Sequence, residues 1–106
     1  MWRVVFAALF LLGSAGAASA DPSASITIRD HQFVPAEVPV PTGVKVGLVI
    51  RNEQAVPAEF ESSSLHREKV IKPGTTASIF VGPLSPGRYE FFDDFHPATR
   101  GTLVAK

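Results

Sequence analysis

Apolar and polar residues alternate along this chain in short runs, and no stretch of ten residues carries the 3.6-residue period of an amphipathic helix. In Ser25-Ile26-Thr27-Ile28-Arg29-Asp30 the two isoleucines share one face and Thr27 and Arg29 the other, which predicts a strand. Val44 to Asn52 is the longest β-rich run, with Val44, Val46, Leu48 and Ile50 in phase. Ala58 to Ser62, Thr76 to Val81, Arg88 to Phe92 and Gly101 to Ala105 read as further strands, with turns at Lys72-Pro73-Gly74 and Pro86-Gly87. Pro35, Pro39 and Pro41 bar the Phe33 to Gly43 segment from a central strand, because proline has no ladder donor; they assign it to a sheet edge or an extended crossover. Only Ser64 to Val70 has room for a single helical turn. About six or seven short strands with turn signals roughly every 8–12 residues predict an all-β, Greek-key-like β-sandwich in one small domain.

The first twenty residues read differently. Met1-Trp2-Arg3 is a short positive start, Val4 to Leu12 is an unbroken apolar run, and Ala18-Ser19-Ala20 ends a small-residue stretch. This predicts a secretory signal peptide over residues 1–20, cut before Asp21. The apolar run is too short to span a bilayer, which needs about 20 residues, so a mature chain over 21–106 is expected to be periplasmic with no stable membrane span. Its cleavage removes 20 of the 106 residues and one cation, Arg3, which takes the formal charge from 0 to −1. A balance so close to neutral argues against nucleic acid or an anionic membrane surface as partner, since either calls for a basic stripe. The sole Met and sole Trp are Met1 and Trp2, and the chain has no Cys, so no disulfide staples the domain. Eight phenylalanines, less Phe6 and Phe10, leave six to fill the core.

Chemistry concentrates in two segments. In Glu59-Phe60-Glu61 strand alternation sends both carboxylates to one face and Phe60 to the other. Like charges on one strand face destabilise it unless a cation compensates; Arg67 or Lys69 would serve, and so would a metal ion. His66 and Glu68 follow shortly. The second segment is Asp93-Asp94-Phe95-His96 at the end of the Tyr89–Phe91 strand, where Asp93 falls in phase with Tyr89 and Phe91 and reads equally as a buried hydrogen-bond acceptor. His31 stands apart and reads as a turn residue.

These residues sit in a recognisable frame. Phe33, Pro35, Val40, Gly43, Val46 and Asn52, followed by Pro86, Gly87, Tyr89, Phe91, His96, Pro97, Gly101, Leu103 and Val104, resemble the opening half and the copper loop of cupredoxins. The resemblance implies a copper ligand set of Cys-x-x-His-x-x-x-Met with an earlier His. Here the Cys position holds Asp93, the Met position Arg100 or Thr99, and the early His position Ala58, so only His96 remains. Without thiolate or thioether a blue-copper centre is excluded. Glu59, Glu61, Glu68, Asp94 and His96, together with Gly82-Pro83-Leu84 and Pro86-Gly87-Arg88-Tyr89, are similar to cupredoxin-like domains found with oxidase-dependent iron permeases, of the EfeO type and the small FtrB-like periplasmic type.

That narrower resemblance implies a periplasmic metal-binding protein assisting ferrous-iron uptake, with a copper or iron ion as cofactor and an iron permease complex and a periplasmic iron-binding protein as partners. It marks Glu59, Glu61, Glu68, Asp94 and His96. Of these Glu59 and Glu68 read as carboxylate ligands, His96 as the nitrogen ligand, and Asp94 as a ligand or the partner orienting the imidazole. Glu61 reads as a ligand or a charge that only tunes the local field, while His66 reads as an extra ligand or a solvent-exposed loop residue. Carboxylates with one imidazole suit iron, Mn²⁺ or Cu²⁺, and anionic oxygens favour Fe³⁺ over Fe²⁺. Binding and ferrous oxidation are equally compatible with these residues. The competing expectation is a metal-free interaction module whose acidic patch pairs with a basic partner surface. Copper chaperoning, which uses Met and His ligands, ranks below both, and Ser62-Ser63-Ser64 beside His66 lacks the context of a hydrolytic nucleophile.

Overall fold

The computed structural model describes residues 21–106; the signal segment expected over 1–20 lies outside the described residues. Nine strands follow in order: β1 Ser23–Arg29, β2 Gln32–Val34, β3 Glu37–Val40, β4 Val46–Asn52, β5 Ala58–Ser62, β6 Arg67–Ile71, β7 Thr76–Val81, β8 Gly87–Asp93 and β9 His96–Ala105. Among the described residues there is no helix, and accordingly none long and apolar enough to cross a membrane. One sheet has the order β2-β1-β4-β7 and the other β3-β9-β8-β5-β6. The all-β sandwich predicted from the alternation is the architecture found. It has more strands than expected because the proline-rich segment takes part in two, β2 and β3, and because Arg67–Ile71, read as loop, pairs with β5 as β6.

That segment passes from one sheet to the other. β2 pairs antiparallel with β1, and after Pro35 and Ala36 the chain enters β3, which runs parallel to β9 at the opposite sheet's edge. Edge placement is what the missing N–H groups of Pro35 and Pro39 require. Ala36 carbonyl accepts from the Thr102 amide at 2.8 Å, closing the crossover. Val44, expected in phase with Val46, is instead exposed and precedes the strand. The single helical turn allowed between Ser64 and Val70 is a Ser63–His66 turn running into β6.

The core is built from inward-facing strand residues of both sheets, including Ile26, Ile28, Leu48, Ile50, Phe60, Phe91 and Leu103. Its centre is aromatic. Phe91 packs edge-on against Phe33 at 4.8 Å and stacks on Phe60 at 4.9 Å between ring centroids. Asn52, fully buried, donates to the Val56 and Ile71 carbonyls at 2.8 and 3.0 Å and accepts from the Gln54 amide at 3.0 Å, so it fixes the loop before β5. Tyr89 ties its strand to the preceding turn by donating to the Ser85 carbonyl at 2.8 Å.

Phe91 lies directly over Gly101, its register partner on β9. A Cβ at Gly101 would sit 2.5 Å from the ring and 3.1 Å from the Ala36 carbonyl. Gly101→Ala is therefore expected to displace the central aromatic and lower stability by about 1–3 kcal/mol, read as a fall in melting temperature. An unchanged melting temperature would show that the ring moves aside freely.

Candidate metal centre

Three expected ligands converge. β5 alternation turns Ala58, Phe60 and Ser62 to the core and leaves Glu59 and Glu61 half-buried on the outer face of the five-stranded sheet. Asp94 begins the β8–β9 turn, and its amide donates to the Glu59 carbonyl at 2.8 Å. Carboxylate oxygens of Glu59, Glu61 and Asp94 all lie within 4.8 Å of one another. Glu68 on β6 is the register partner of Glu61 and adds a fourth charge from the neighbouring strand. His66 lines the same open depression as Glu61 and Glu68 but is exposed in its turn.

The cations offered by the sequence do not compensate these charges. Arg67 and Lys69 are paired in register with Ser62 and Phe60, so they belong to the opposite face from Glu61 and Glu68. Arg67 is spent on the Phe80 and His66 carbonyls at 2.8 and 3.0 Å. Among the described residues no Lys, Arg or His makes an ion pair with Glu59, Glu61, Glu68 or Asp94. Across the sheet, Glu61 is followed in register by Phe92 and then by Arg100, whose guanidinium stacks over the Phe92 ring at 5.0 Å and pairs with Glu90 at 3.4 Å. Phe92 thus separates the acidic flank from the nearest basic one.

Both glutamates are accordingly held above the usual carboxylate value of 4.5. Removal from water is the largest cause for each, followed for Glu59 by the charges of Glu68, Asp94 and Glu61, and for Glu61 by those of Asp94 and Glu68.

His96 stands beside this cluster but is engaged elsewhere. Its Nδ1 faces Asp93 Oδ2 at 3.3 Å, and its ring meets that of His31. Asp93 is fully buried. Its Oδ1 accepts from the Glu59 and Phe95 amides at 2.9 and 3.0 Å, so it is the hydrogen-bond acceptor that its phase with Tyr89 and Phe91 allowed. Of the two residues offered for the thioether position, Thr99 is buried and donates to the His31 carbonyl at 2.7 Å, while Arg100 lies outside on the sheet. Ala58 is fully buried. A blue-copper centre does not fit this pole, because the thiolate position is a carboxylate already holding two amides and an imidazole, and the thioether position is a hydroxyl. His31 was legible only as a turn residue. Its adjacency to His96 arises from packing of the β1–β2 hairpin of one sheet against β9 of the other, which no local pattern carries.

The unfolded chain releases protons from Glu59 and Glu61 at lower pH than the folded one does, so these two groups withdraw stability as pH rises from 4.5 through their raised values. The metal-free E59Q/E61Q protein is expected to melt above the parent at neutral pH, with the difference closing as pH falls through the raised values towards 4.5. Melting curves across that range that are parallel for the two proteins would remove the repulsion from the account.

Known proteins place the chain among relatives of the same build. Residues 3–105 match the family model described as cupredoxin-like domain. An uncharacterised protein of Rickettsia prowazekii is 50% identical over 74 residues, which are 70% of this chain and 59% of that protein, so the match spans less than two thirds of the relative. Amicyanin of Paracoccus versutus superposes with a TM-score of 0.65 at 17% identity, covering 84% of this chain and 85% of that one. The metal-binding domain of a Cu(I)-exporting P-type ATPase of Streptococcus pneumoniae superposes with a TM-score of 0.71 at 14% identity, over 85% of this chain and 99% of that one. With the family model covering nearly its whole length, the chain belongs to the cupredoxin-like domain family.

Proposed function

We propose that this protein is a periplasmic metal-binding protein that assists iron uptake, holding a hard cation on Glu59, Glu61 and Asp94 with Glu68 alongside. The observation that carries the reading is the uncompensated charge: three carboxylates whose oxygens lie within 4.8 Å of one another, with no cationic side chain paired to them among the described residues. A di- or trivalent ion supplies the missing charge and replaces the lost water. All-oxygen anionic donors select hard ions, Mn²⁺ and iron ahead of Cu⁺. They bind Fe³⁺ more tightly than Fe²⁺ and so favour loss of an electron from bound ferrous iron. The partners this implies are an iron permease complex and a periplasmic iron-binding protein, reached through the acidic flank.

The chemistry sets a pH limit on binding. Glu59 and Glu61 must lose their protons to coordinate, and both hold them more tightly than an ordinary carboxylate, so affinity falls as pH drops through their raised values. A bound ion also relieves the repulsion between the carboxylates, which stabilises the fold by mass action.

Calorimetric titration with Mn²⁺ and, under anaerobic conditions, with Fe²⁺ is expected to give one ion per chain, a raised melting temperature reversed by chelator, and loss of both in E59Q/E61Q. Binding that survives the double substitution would overturn the site. No binding at all would leave the acidic flank as a recognition patch for a basic protein surface. Following ferric production under air in the loaded protein separates oxidation from storage.

A further inference from the structure

The carboxylate cluster leaves two imidazoles unused. The rings of His31 and His96 lie 4.4 Å apart between centroids, tilted by 44°. Two imidazoles that share one ion at a metal–nitrogen distance of about 2 Å hold their ring centres roughly 4.5–5 Å apart. The pair is therefore already near the spacing that a common ion imposes.

Both rings are delivered by fixed backbone. Asp30 and His31 are the two central residues of the β1–β2 hairpin, and both have left-handed backbone, with φ of 51° and 55°. Asn-Gly satisfies such a turn with less strain than a residue bearing a bulky side chain. The His31 amide donates to Gln54 Oε1 at 2.8 Å and its carbonyl accepts from Thr99 Oγ1 at 2.7 Å, so contacts from two distant segments hold it in that conformation. On the other side, His96 turns Nδ1 to the buried carboxylate of Asp93 at 3.3 Å. In the tautomer that donates from Nδ1 to this carboxylate, the lone pair lies on Nε2. A buried carboxylate behind an imidazole is the arrangement that orients a metal-bound histidine and raises its basicity. His31 is exposed and His96 half-buried, and a cleft lined by Asp30, Glu53 and Gln54 opens beside His31.

We propose that His31 and His96 form a second metal site, separate from the carboxylate cluster, for a borderline divalent cation such as Cu²⁺, with Asp93 as the positioning residue for His96. Imidazole pairs select ions of this class, whereas the all-oxygen cluster takes harder ones. His31 has no counterpart in the ligand set that the cupredoxin resemblance implies. The proposal draws on residues outside the carboxylate cluster and stands or falls apart from the iron reading.

The test is titration of the purified protein with Cu²⁺, followed by electron paramagnetic resonance for nitrogen coupling, with Mn²⁺ titration as the control for the carboxylates. The parent is expected to show two imidazole nitrogens on the copper. His31→Asn, which suits the left-handed backbone, is expected to lose one of them and weaken Cu²⁺ binding by more than about tenfold. Its melting temperature and its Mn²⁺ binding are expected to stay at the parent's values. His31→Gly should repeat that loss, and His96→Gln should remove the other nitrogen. A parent spectrum without imidazole nitrogens, or unchanged coupling and affinity in His31→Asn, would overturn the proposal whatever the carboxylates bind.

Discussion

The chemistry-bearing end of this molecule is organised by one buried carboxylate. Asp93 has no exposure to water, and a carboxyl group so placed is tolerated only where hydrogen bonds replace its solvation. It finds them in the Glu59 amide, the Phe95 amide and the His96 ring. These three partners belong to β5, to the β8–β9 turn and to the start of β9. The demand of a single side chain for donors thus brings the acidic strand and the imidazole to the same end of the sandwich.

The outer face of the five-stranded sheet carries the complementary lesson. A row of register partners runs Glu68, Glu61, Phe92, Arg100 across four strands. Opposite charges stand at its two ends with an aromatic ring between them. Among the described residues, the ion pairs of this face form at the basic end, where Arg100 meets Glu90 and Arg88 meets Glu37. The acidic end keeps its charge and raises the proton affinity of its glutamates. A face of this kind discriminates strongly by the sign and size of what approaches it.

Much of the fold was legible because period-two alternation fixes which side chains share a face. Ile26 with Ile28, and Val46 with Leu48 and Ile50, were read as sharing a face and are buried together, while Val44 of the same phase is exposed. The prolines located the edge segment, since a missing donor has few permitted places. The outward pair Glu59 and Glu61 followed from the same alternation. What alternation does not contain is partnership between distant strands. Arg67 and Lys69 lie close to the glutamates in sequence, yet the β5–β6 register sends them to the other face. His31 and His96 lie far apart in sequence and in different sheets, yet the packing of the two sheets makes their rings neighbours. Pairing of β1 with β4, and of β3 with β9, is parallel, and parallel register is set by crossovers that leave no local signature.

The position of β9 has a consequence for how the chain reaches its native state. This strand, residues 96–105, lies between β3 and β8, and it carries Leu103 into the core and Gly101 under Phe91. Until those residues are available, β3 has no partner in its sheet and the aromatic centre has no floor. Long-range pairings of this kind form late and slowly compared with local ones. A nascent chain therefore cannot complete this core until β9 has emerged to fill the gap between β3 and β8.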